Sequence, residues 1–408
     1  MRWWGPLIIL AAVRVAIPVA AVADRGSKLP GIPEFNRDPR LGGLVGDATG
    51  FYAATREFMA GWARMPHALL GLLVLVALAA AAALAVAWRR RPALRPWLVP
   101  SAVCAAGLLV CVDVHWMKPS GAAVFGWPLV WAIALLPFRA VGLLTHALAW
   151  DVALVLQLVF VALTVIAAAY LGRNATGKRW VGVAAAACWA LWPLLVGLLA
   201  GHHAWTNGQW EVDAGLHGYS EPLSTLLVTA AAALLLSPAA SALQLSLAGC
   251  ALSLATLTKL SNALLAAIAL VVVVLQRRWR HYLAGALSLA PLVAAYWPIS
   301  YPKLFHNRQS WPSDPFDPAH VVSSWTHSSI FYPRTLLIVT LLALLGVAAL
   351  RRPWAAALVL AFLLLNPVFY SFYANTAKHP RFLYASLPFL FVLWAGSLET
   401  IRRCVARR

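Results

Sequence analysis

Residues 41–62 read LGGLVGDATGFYAATREFMAGW and lie between two apolar runs, residues 5–23 and 68–87. Asp47 is followed by an aromatic helical face at spacings of four, four, three and four, formed by Phe51, Thr55, Phe58 and Trp62. The pattern predicts an amphipathic helix in a membrane interface, with Asp47 at its start. Asp47 is then either a helix N-cap or a functional acid at the membrane edge, and an N-cap does not exclude catalysis.

The composition is that of a polytopic membrane protein. Hydrophobic residues make up 62% of the 408 residues and charged residues 11%, whereas soluble domains are about a quarter charged. We therefore expect a single transmembrane domain over residues 1–408. The net charge of +19 does not indicate nucleic-acid binding, because the basic residues form short clusters between apolar runs.

The apolar runs predict an all-α transmembrane helix bundle. Roughly 20 apolar residues cross a bilayer as a helix. About 12 crossings are predicted, at residues 5–23, 68–87, 97–115, 148–171, 181–200, 221–236, 242–258, 260–275, 282–298, 334–350, 354–372 and 382–398. The pair that meets at Lys259 is alternatively one bent element. Residues 121–138 are apolar too, and we expect them to enter the membrane only part-way, as a re-entrant hairpin.

Clusters of arginine and lysine predict the orientation, since short cytoplasmic loops are enriched in both. All the main clusters fall on one side if both termini are cytoplasmic: Arg2, Arg89–Arg91, Arg173 with Lys178 and Arg179, Arg277–Arg280, Arg351 with Arg352, and Arg402 with Arg403. The opposite side then holds twelve of the thirteen acids and ten of the eleven histidines. This asymmetry predicts chemistry on the non-cytoplasmic face of the plasma membrane, although long polar outer loops alone explain much of it.

Two outer loops are long enough to cover a cavity. Residues 24–67 form the first outer loop, which contains the predicted interfacial helices. Residues 299–333 are rich in proline, tryptophan and histidine and predict an ordered lid.

A basic segment precedes the last predicted crossing. Lys378, His379 and Arg381 carry donors for phosphate oxygens, and a helix N-terminus there adds partial positive charge. The alternative is anchoring of the last helix to lipid headgroups. Lys118, in the second outer loop, is a candidate for a second phosphate contact.

A third polar cluster follows the fifth predicted crossing and comprises His202, His203, Glu211, Asp213, Tyr219 and Glu221. Its spacing matches no metal site that we can derive from geometry, so we expect no metal here. The cluster either binds the hydroxyls of a sugar or acceptor or is ordinary loop polarity. Arg14 and Lys259 are charges in or near predicted crossings, and such charges are functional candidates by default. Each alternatively pairs with a buried carbonyl or with an acid such as Asp113 or Asp151.

Five short motifs resemble the GT-C superfamily of polytopic glycosyltransferases. They are Gly46-Asp47, Gly126-Trp127-Pro128-Leu129, Ser220-Glu221-Pro222, Ala255-Thr256-Leu257-Thr258-Lys259 and Pro380-Arg381-Phe382-Leu383-Tyr384. Each motif alone is weak, but their order and their shared predicted side of the membrane make the set moderately specific.

The resemblance implies transfer of a monosaccharide, a hexose such as mannose or a pentose, from a polyprenyl-phosphate donor during cell-envelope synthesis. The acceptor would be a hydroxyl of a glycan, lipid or protein. Asp47 would be the general base and Arg381 a donor-phosphate contact, and we expect the two to share one water-shielded chamber. No cofactor is expected to be required, with a divalent metal left open. A transporter or flippase of a lipid-linked substrate and a non-catalytic subunit remain alternatives.

Overall fold

The computed structural model describes residues 3–23, 47–112, 125–200, 218–296, 321, 341, 343–371 and 380–406, with the backbone alone at residues 21–23, 47–49, 196–200 and 380–382. These described residues contain helices and turns but no strand, which confirms the all-α class for this part of the chain. The α-helices are α1 (Trp4–Ala23), α2 (Asp47–Arg64), α3 (His67–Arg90), α4 (Arg95–Cys111), α5 (Gly126–Ala140), α6 (His146–Thr176), α7 (Arg179–Ala200), α8 (Glu221–Leu235), α9 (Ala242–Thr258), α10 (Asn262–Leu275), α11 (Trp279–Ala286), α12 (Pro353–Ser371) and α13 (Leu387–Val405). Short 3-10 helices occupy Pro92–Leu94, Leu344–Ala349 and Pro380–Ser386.

Five helical segments of the described chain are long and apolar enough to cross a membrane. They are His67–Arg90, Pro92–Cys111, His146–Thr176, Pro353–Ser371 and Leu383–Val405. Most other predicted crossings coincide with shorter apolar helices, so the number of 12 crossings stays a prediction. The helix α5, where a part-way segment is predicted, has 15 residues and is about 22 Å long, less than the hydrocarbon thickness of about 30 Å.

The helix α3 gives the clearest sign of a lipid environment. Its alanines and leucines favour helix, and the helix ends at Arg89 and Arg90, shortly before Pro92. None of its residues is buried, and Leu75 is 65% exposed. A 24-residue apolar helix with no buried residue is compatible with a lipid environment.

One compact unit, unit 1, comprises Met1–Gly43, Ala153–Pro238 and Trp311–Arg408. Within unit 1, α13 packs on α7 and on the 3-10 helix Leu344–Ala349, and α1 packs on α7. The 3-10 helix Pro380–Ser386 packs against both α8 and α12. The aromatic core includes the fully buried Trp189 and Trp192, whose ring centroids lie 6.4 and 5.2 Å from that of Phe391.

A buried acid ties α13 to α7 inside unit 1. Glu399 is 1% exposed and accepts hydrogen bonds from Trp180 Nε1 at 3.1 Å, Arg402 Nε at 3.0 Å and Arg403 Nε at 2.9 Å. A buried carboxylate needs such partners, because an unpaired buried charge is very costly. Glu399 is the one acid that the predicted topology places on the cytoplasmic side, and its contacts are structural.

The other compact unit, unit 2, comprises Leu44–Val152 and Ala239–Ser310. Within unit 2, α9 packs against α4, α5, α10 and α11, and α2 packs against α5. The single domain predicted over residues 1–408 stays a prediction.

Two helices of the structure differ from the predicted bounds. The run predicted at 282–298 is interrupted by a turn at 287–289. The last helix, predicted from residue 382, begins as an α-helix only at Leu387, after the 3-10 helix Pro380–Ser386. Pro388 explains this start, because proline suits the first turn of an α-helix and disrupts the interior.

Candidate functional site

The first group of motif residues lies in unit 2, where the helix that starts at Asp47 packs on α5. Thr55 is fully buried, and its hydroxyl donates to the carbonyl oxygens of Phe51 at 2.8 Å and Pro128 at 3.3 Å. The second bond ties α2 to the first turn of α5, where the Gly-Trp-Pro-Leu motif begins the helix. The predicted extent of the α2 helix is confirmed, and part of its aromatic face is a packing surface.

The same end of α5 presses against the end of α9. A Cβ on Gly126 would lie 2.6 Å from the backbone N of Thr258 and 2.7 Å from the carbonyl C of Leu257. Only a glycine permits this approach of two backbones. The motifs at residues 126–129 and 255–259 are therefore in direct backbone contact.

The helices α9 and α10 are separated by a sharp break at Lys259. Lys259 has an extended backbone (φ −156°, ψ 114°) and is 8% exposed. Asn262 closes the break, because its Nδ2 donates to the Ala255 carbonyl at 2.9 Å. The structure thus gives two helices where one bent element was the alternative, with a buried lysine between them.

Aromatic rings complete this group in unit 2. Tyr296 lies with its ring centroid 5.2 Å from Phe58 and 4.8 Å from Phe125. Tyr52 on α2 contacts the rings of Trp131 at 5.4 Å and His146 at 5.0 Å. Burial raises the pKa of Tyr52, although nearby Arg56 opposes this, so the phenol keeps its proton at neutral pH. Three of the five motif regions therefore meet in unit 2: the Asp47 helix, residues 126–129 and residues 255–259.

The second group lies in unit 1, where α8 begins at Glu221. Gln157, which is 1% exposed on α6, accepts a bond from Gly218 N at 3.0 Å and donates to the Tyr219 carbonyl at 2.8 Å. Gly218 has a φ of +70°, which a residue with a side chain rarely adopts. This two-bond clamp fixes the chain just before α8, and Glu221 follows it with only 5% exposure.

The fifth motif packs against the same helix. The 3-10 helix Pro380–Ser386 contacts α8, and Ser386 Oγ donates to the Phe362 carbonyl of α12 at 3.4 Å. Tyr384, in the middle of this 3-10 helix, is fully buried and accepts a bond from Arg14 Nη2 at 2.8 Å. The motifs at residues 220–222 and 380–384 therefore meet in unit 1.

Two buried hydroxyls of the second group have no hydrogen-bond partner among the described residues. Thr225 and Thr229 on α8 are fully buried, and neither hydroxyl has a hydrogen-bond partner in the described chain. By contrast, other helical threonines donate to the carbonyl four residues earlier: Thr55, Thr164, Thr176, Thr256, Thr258 and Thr400. Asn366 on α12 is fully buried, and both polar atoms of its amide are unpaired among the described residues.

The predicted site residues fall into two sets. The structure describes Tyr219 and Glu221 in full, both buried, and places Asp47 at the first position of α2 and Arg381 in the 3-10 helix by their backbones alone. The other predicted residues lie outside the described chain: Lys118, His202, His203, Glu211, Asp213, Lys378 and His379. So does the predicted lid at 299–333, apart from residue 321.

The phosphate site predicted at residues 378–381 was expected to include the N-terminal charge of an α-helix, and the structure places that helix end elsewhere. The α-helix that was to add its N-terminal charge begins at Leu387, six positions after Arg381. A phosphate site at residues 378–381 would therefore depend on side-chain charge and not on that helix end.

Two functional candidates were missed from the sequence. Gln157 could have been found, because it is a lone amide inside the apolar stretch 152–172. The partner of Arg14 could not, since Tyr384 lies 370 positions away.

No protein-family model and no curated protein matches the chain. Among the described residues, no three histidine, cysteine or acidic side chains gather in a way that could hold a metal ion.

Proposed function

We propose that the chain is an integral-membrane glycosyltransferase that uses a polyprenyl-phosphate sugar on the non-cytoplasmic face. One observation carries the proposal: four of the five motifs that resemble the GT-C superfamily, and the helix that starts at Asp47 of the fifth, lie in two packed groups although they are scattered through the sequence. The first joins α2, α5 and α9 within unit 2, and the second joins α8 to the 3-10 helix Pro380–Ser386 within unit 1. The long apolar helices support a membrane location.

The chemistry needs a base, an anion site and a hydroxyl-binding surface. Asp47 would accept the proton of the acceptor hydroxyl as its oxygen bonds to the anomeric carbon of the sugar. The bond between that carbon and the phosphate oxygen breaks, and polyprenyl phosphate leaves with the electron pair. Since the donor already carries its leaving group, no nucleotide-binding domain is needed.

The leaving phosphate requires positive charge. Arg381, Lys378 and His379 would bind it on one segment, with Lys118 as a further contact. Arginine suits this role because its guanidinium stays charged and donates to two phosphate oxygens at once.

The sugar or acceptor would meet the segment before α8. Tyr219 is held by the Gln157 clamp and Glu221 follows it at the start of α8. The remaining predicted contacts, His202, His203, Glu211 and Asp213, precede them in the sequence. A fixed loop end lowers the entropic cost of ordering hydroxyl-binding groups around the substrate.

The decisive experiment is transfer by purified protein from a panel of polyprenyl-phosphate sugars, read by mass analysis of the products. Asp47→Asn should abolish transfer while thermal stability stays unchanged, since the amide is nearly isosteric but cannot act as the base. Asp151→Asn, an exposed acid on α6, is the matched control and should retain activity. Full activity of Asp47→Asn would remove the assignment.

A second candidate, a transporter of a lipid-linked anionic substrate, is favoured by one feature. The interruption of α9 and α10 at buried Lys259 resembles the discontinuous helices that bind substrates in transporters. If the protein moves a fluorescent polyprenyl-phosphate lipid between the two leaflets of a liposome bilayer and transfers no sugar, the result supports a transporter and not an enzyme.

A further inference from the structure

A buried arginine connects the first described helix with the segment that carries Arg381. Arg14 lies near the middle of α1, about 15 Å along the axis from its start at Trp4. It is fully buried among apolar residues, and a charge in such a position persists only with good partners. The contacts of Arg14 are therefore a specific feature of the fold.

Two of these contacts belong to one compact cluster. The Arg14 guanidinium carbon lies 5.0 Å from the centre of the Trp189 ring, a cation–π distance. Its Nη2 donates to the hydroxyl of Tyr384 at 2.8 Å. The rings of Trp189 and Tyr384 meet edge to face, with centroids 5.1 Å apart. We call Arg14, Trp189 and Tyr384 the Arg14 cluster.

The cluster is anchored to the rest of unit 1. Trp189 Nε1 donates to the Val161 carbonyl on α6 at 2.9 Å, and both Trp189 and Tyr384 are fully buried. The hydroxyl of Tyr384 is thus held by a charged donor that is itself fixed on a rigid aromatic surface.

Tyr384 links the Arg14 cluster to Arg381, because both residues belong to the 3-10 helix Pro380–Ser386. A 3-10 helix has three residues per turn, so the backbone of Arg381 lies one turn before that of Tyr384. A 3-10 helix has weaker internal hydrogen bonds than an α-helix and depends more on outside contacts to keep its geometry.

We infer that Arg14 is a positioning residue, which acts through Tyr384 to hold the turn that presents Arg381 to the phosphate of the lipid-linked donor. This inference rests on the proposed function. Arg14 does not itself contact the substrate in this account. Its role is to keep the 3-10 turn of residues 381–384 in one geometry before the donor arrives, which lowers the cost of binding.

The test begins with Tyr384→Phe, which keeps the ring and its packing but removes the acceptor of the Arg14 bond. Loss of one charge-assisted hydrogen bond should raise the KM for the polyprenyl-phosphate donor about tenfold, with kcat changed less than about twofold. Arg14→Lys keeps a charge but not the guanidinium geometry and should give a similar shift. Arg173→Met is the control, because Arg173 also lies over aromatic rings of unit 1, those of Trp3 and Tyr170.

Amide hydrogen exchange provides a readout that does not need activity. In Tyr384→Phe and Arg14→Lys, the amides of residues 381–386 should exchange at least about tenfold faster, while Arg173→Met leaves them unchanged. Unchanged exchange, or faster exchange without a rise in donor KM, would overturn the inference. If the wild-type protein transfers sugar from none of the polyprenyl-phosphate substrates, the proposed function is wrong. The role of the Arg14 cluster in binding such a substrate is then wrong as well.

Discussion

The two motif groups are fixed by different physical means. In unit 2 the tightest contact is between two backbones, where Gly126 lies against Thr258, and the side chains of Thr55 and Asn262 add hydrogen bonds to backbone carbonyls. In unit 1 each motif is anchored to neighbouring helices by buried polar side chains, those of the Gln157 clamp and of the Arg14 cluster. The first arrangement is therefore sensitive to added volume, and the second to lost polarity.

Added volume at Gly126 should have the largest effect. An alanine Cβ would come within 2.6 Å of Thr258 N, and a backbone cannot yield as a flexible side chain can. We expect Gly126→Ala to lower the free energy of unfolding by about 3 kcal/mol, measured by titration with sodium dodecyl sulfate in mixed micelles.

The control for this change is Gly71→Ala on α3, where a Cβ meets nothing within 4 Å. That variant should be neutral or more stable by up to about 1 kcal/mol, because alanine favours helix. Equal effects of the two substitutions would contradict the steric account of unit 2.

Lost polarity at Gln157 should have the next largest effect. Gln157→Leu leaves the Gly218 N–H and the Tyr219 carbonyl buried without these partners, at a cost of about 2 kcal/mol in the same unfolding assay. Gln157→Glu keeps an acceptor for Gly218 N but puts a buried carboxylate against the Tyr219 carbonyl at neutral pH, so it should cost at least as much. A leucine variant as stable as the wild type would show that the clamp contributes nothing to unit 1.

The smallest expected effect is a rise in the free energy of unfolding, whereas the two changes above lower it. Thr229→Val replaces a buried hydroxyl that has no partner in the described chain with an apolar group of the same shape, so it should stabilise the protein by about 1 kcal/mol. Thr164→Val removes a hydroxyl that donates to the Phe160 carbonyl and should not stabilise. If Thr229→Val destabilises the protein, the hydroxyl has a bound water or ligand as its partner.

The helix positions could be predicted from the sequence where apolar runs end at clear signals. Helix α9 occupies Ala242–Thr258, the residues predicted, because Ser241 and Gln244 form a capping box at its start. The start of the last α-helix could not be placed, since the apolar run continues through the 3-10 helix and hydropathy does not distinguish the two helix types.

The residues of the candidate sites could be predicted from the sequence, but which of them pack together could not. The five motifs are visible in the sequence, and so is the anomaly of a charge at Arg14. Which motifs meet is decided by long-range packing: Gly126 touches Thr258, more than a hundred positions away, and Arg14 reaches Tyr384. No periodicity within one helix contains that information.

The length of α6 and the charges that bracket its apolar stretch bear on how deep Gln157 lies in a bilayer. Asp151 and Arg173 bracket 21 uncharged residues, 152–172, which extend about 32 Å as a helix and match a bilayer core of about 30 Å. If these two charges mark the lipid borders, Gln157 lies about 9 Å below the border at Asp151. Gly218 and Tyr219, bonded to Gln157, are then submerged to the same level. A substrate that reaches them must leave the aqueous phase and descend beneath the headgroups, which favours molecules already tethered to a lipid tail.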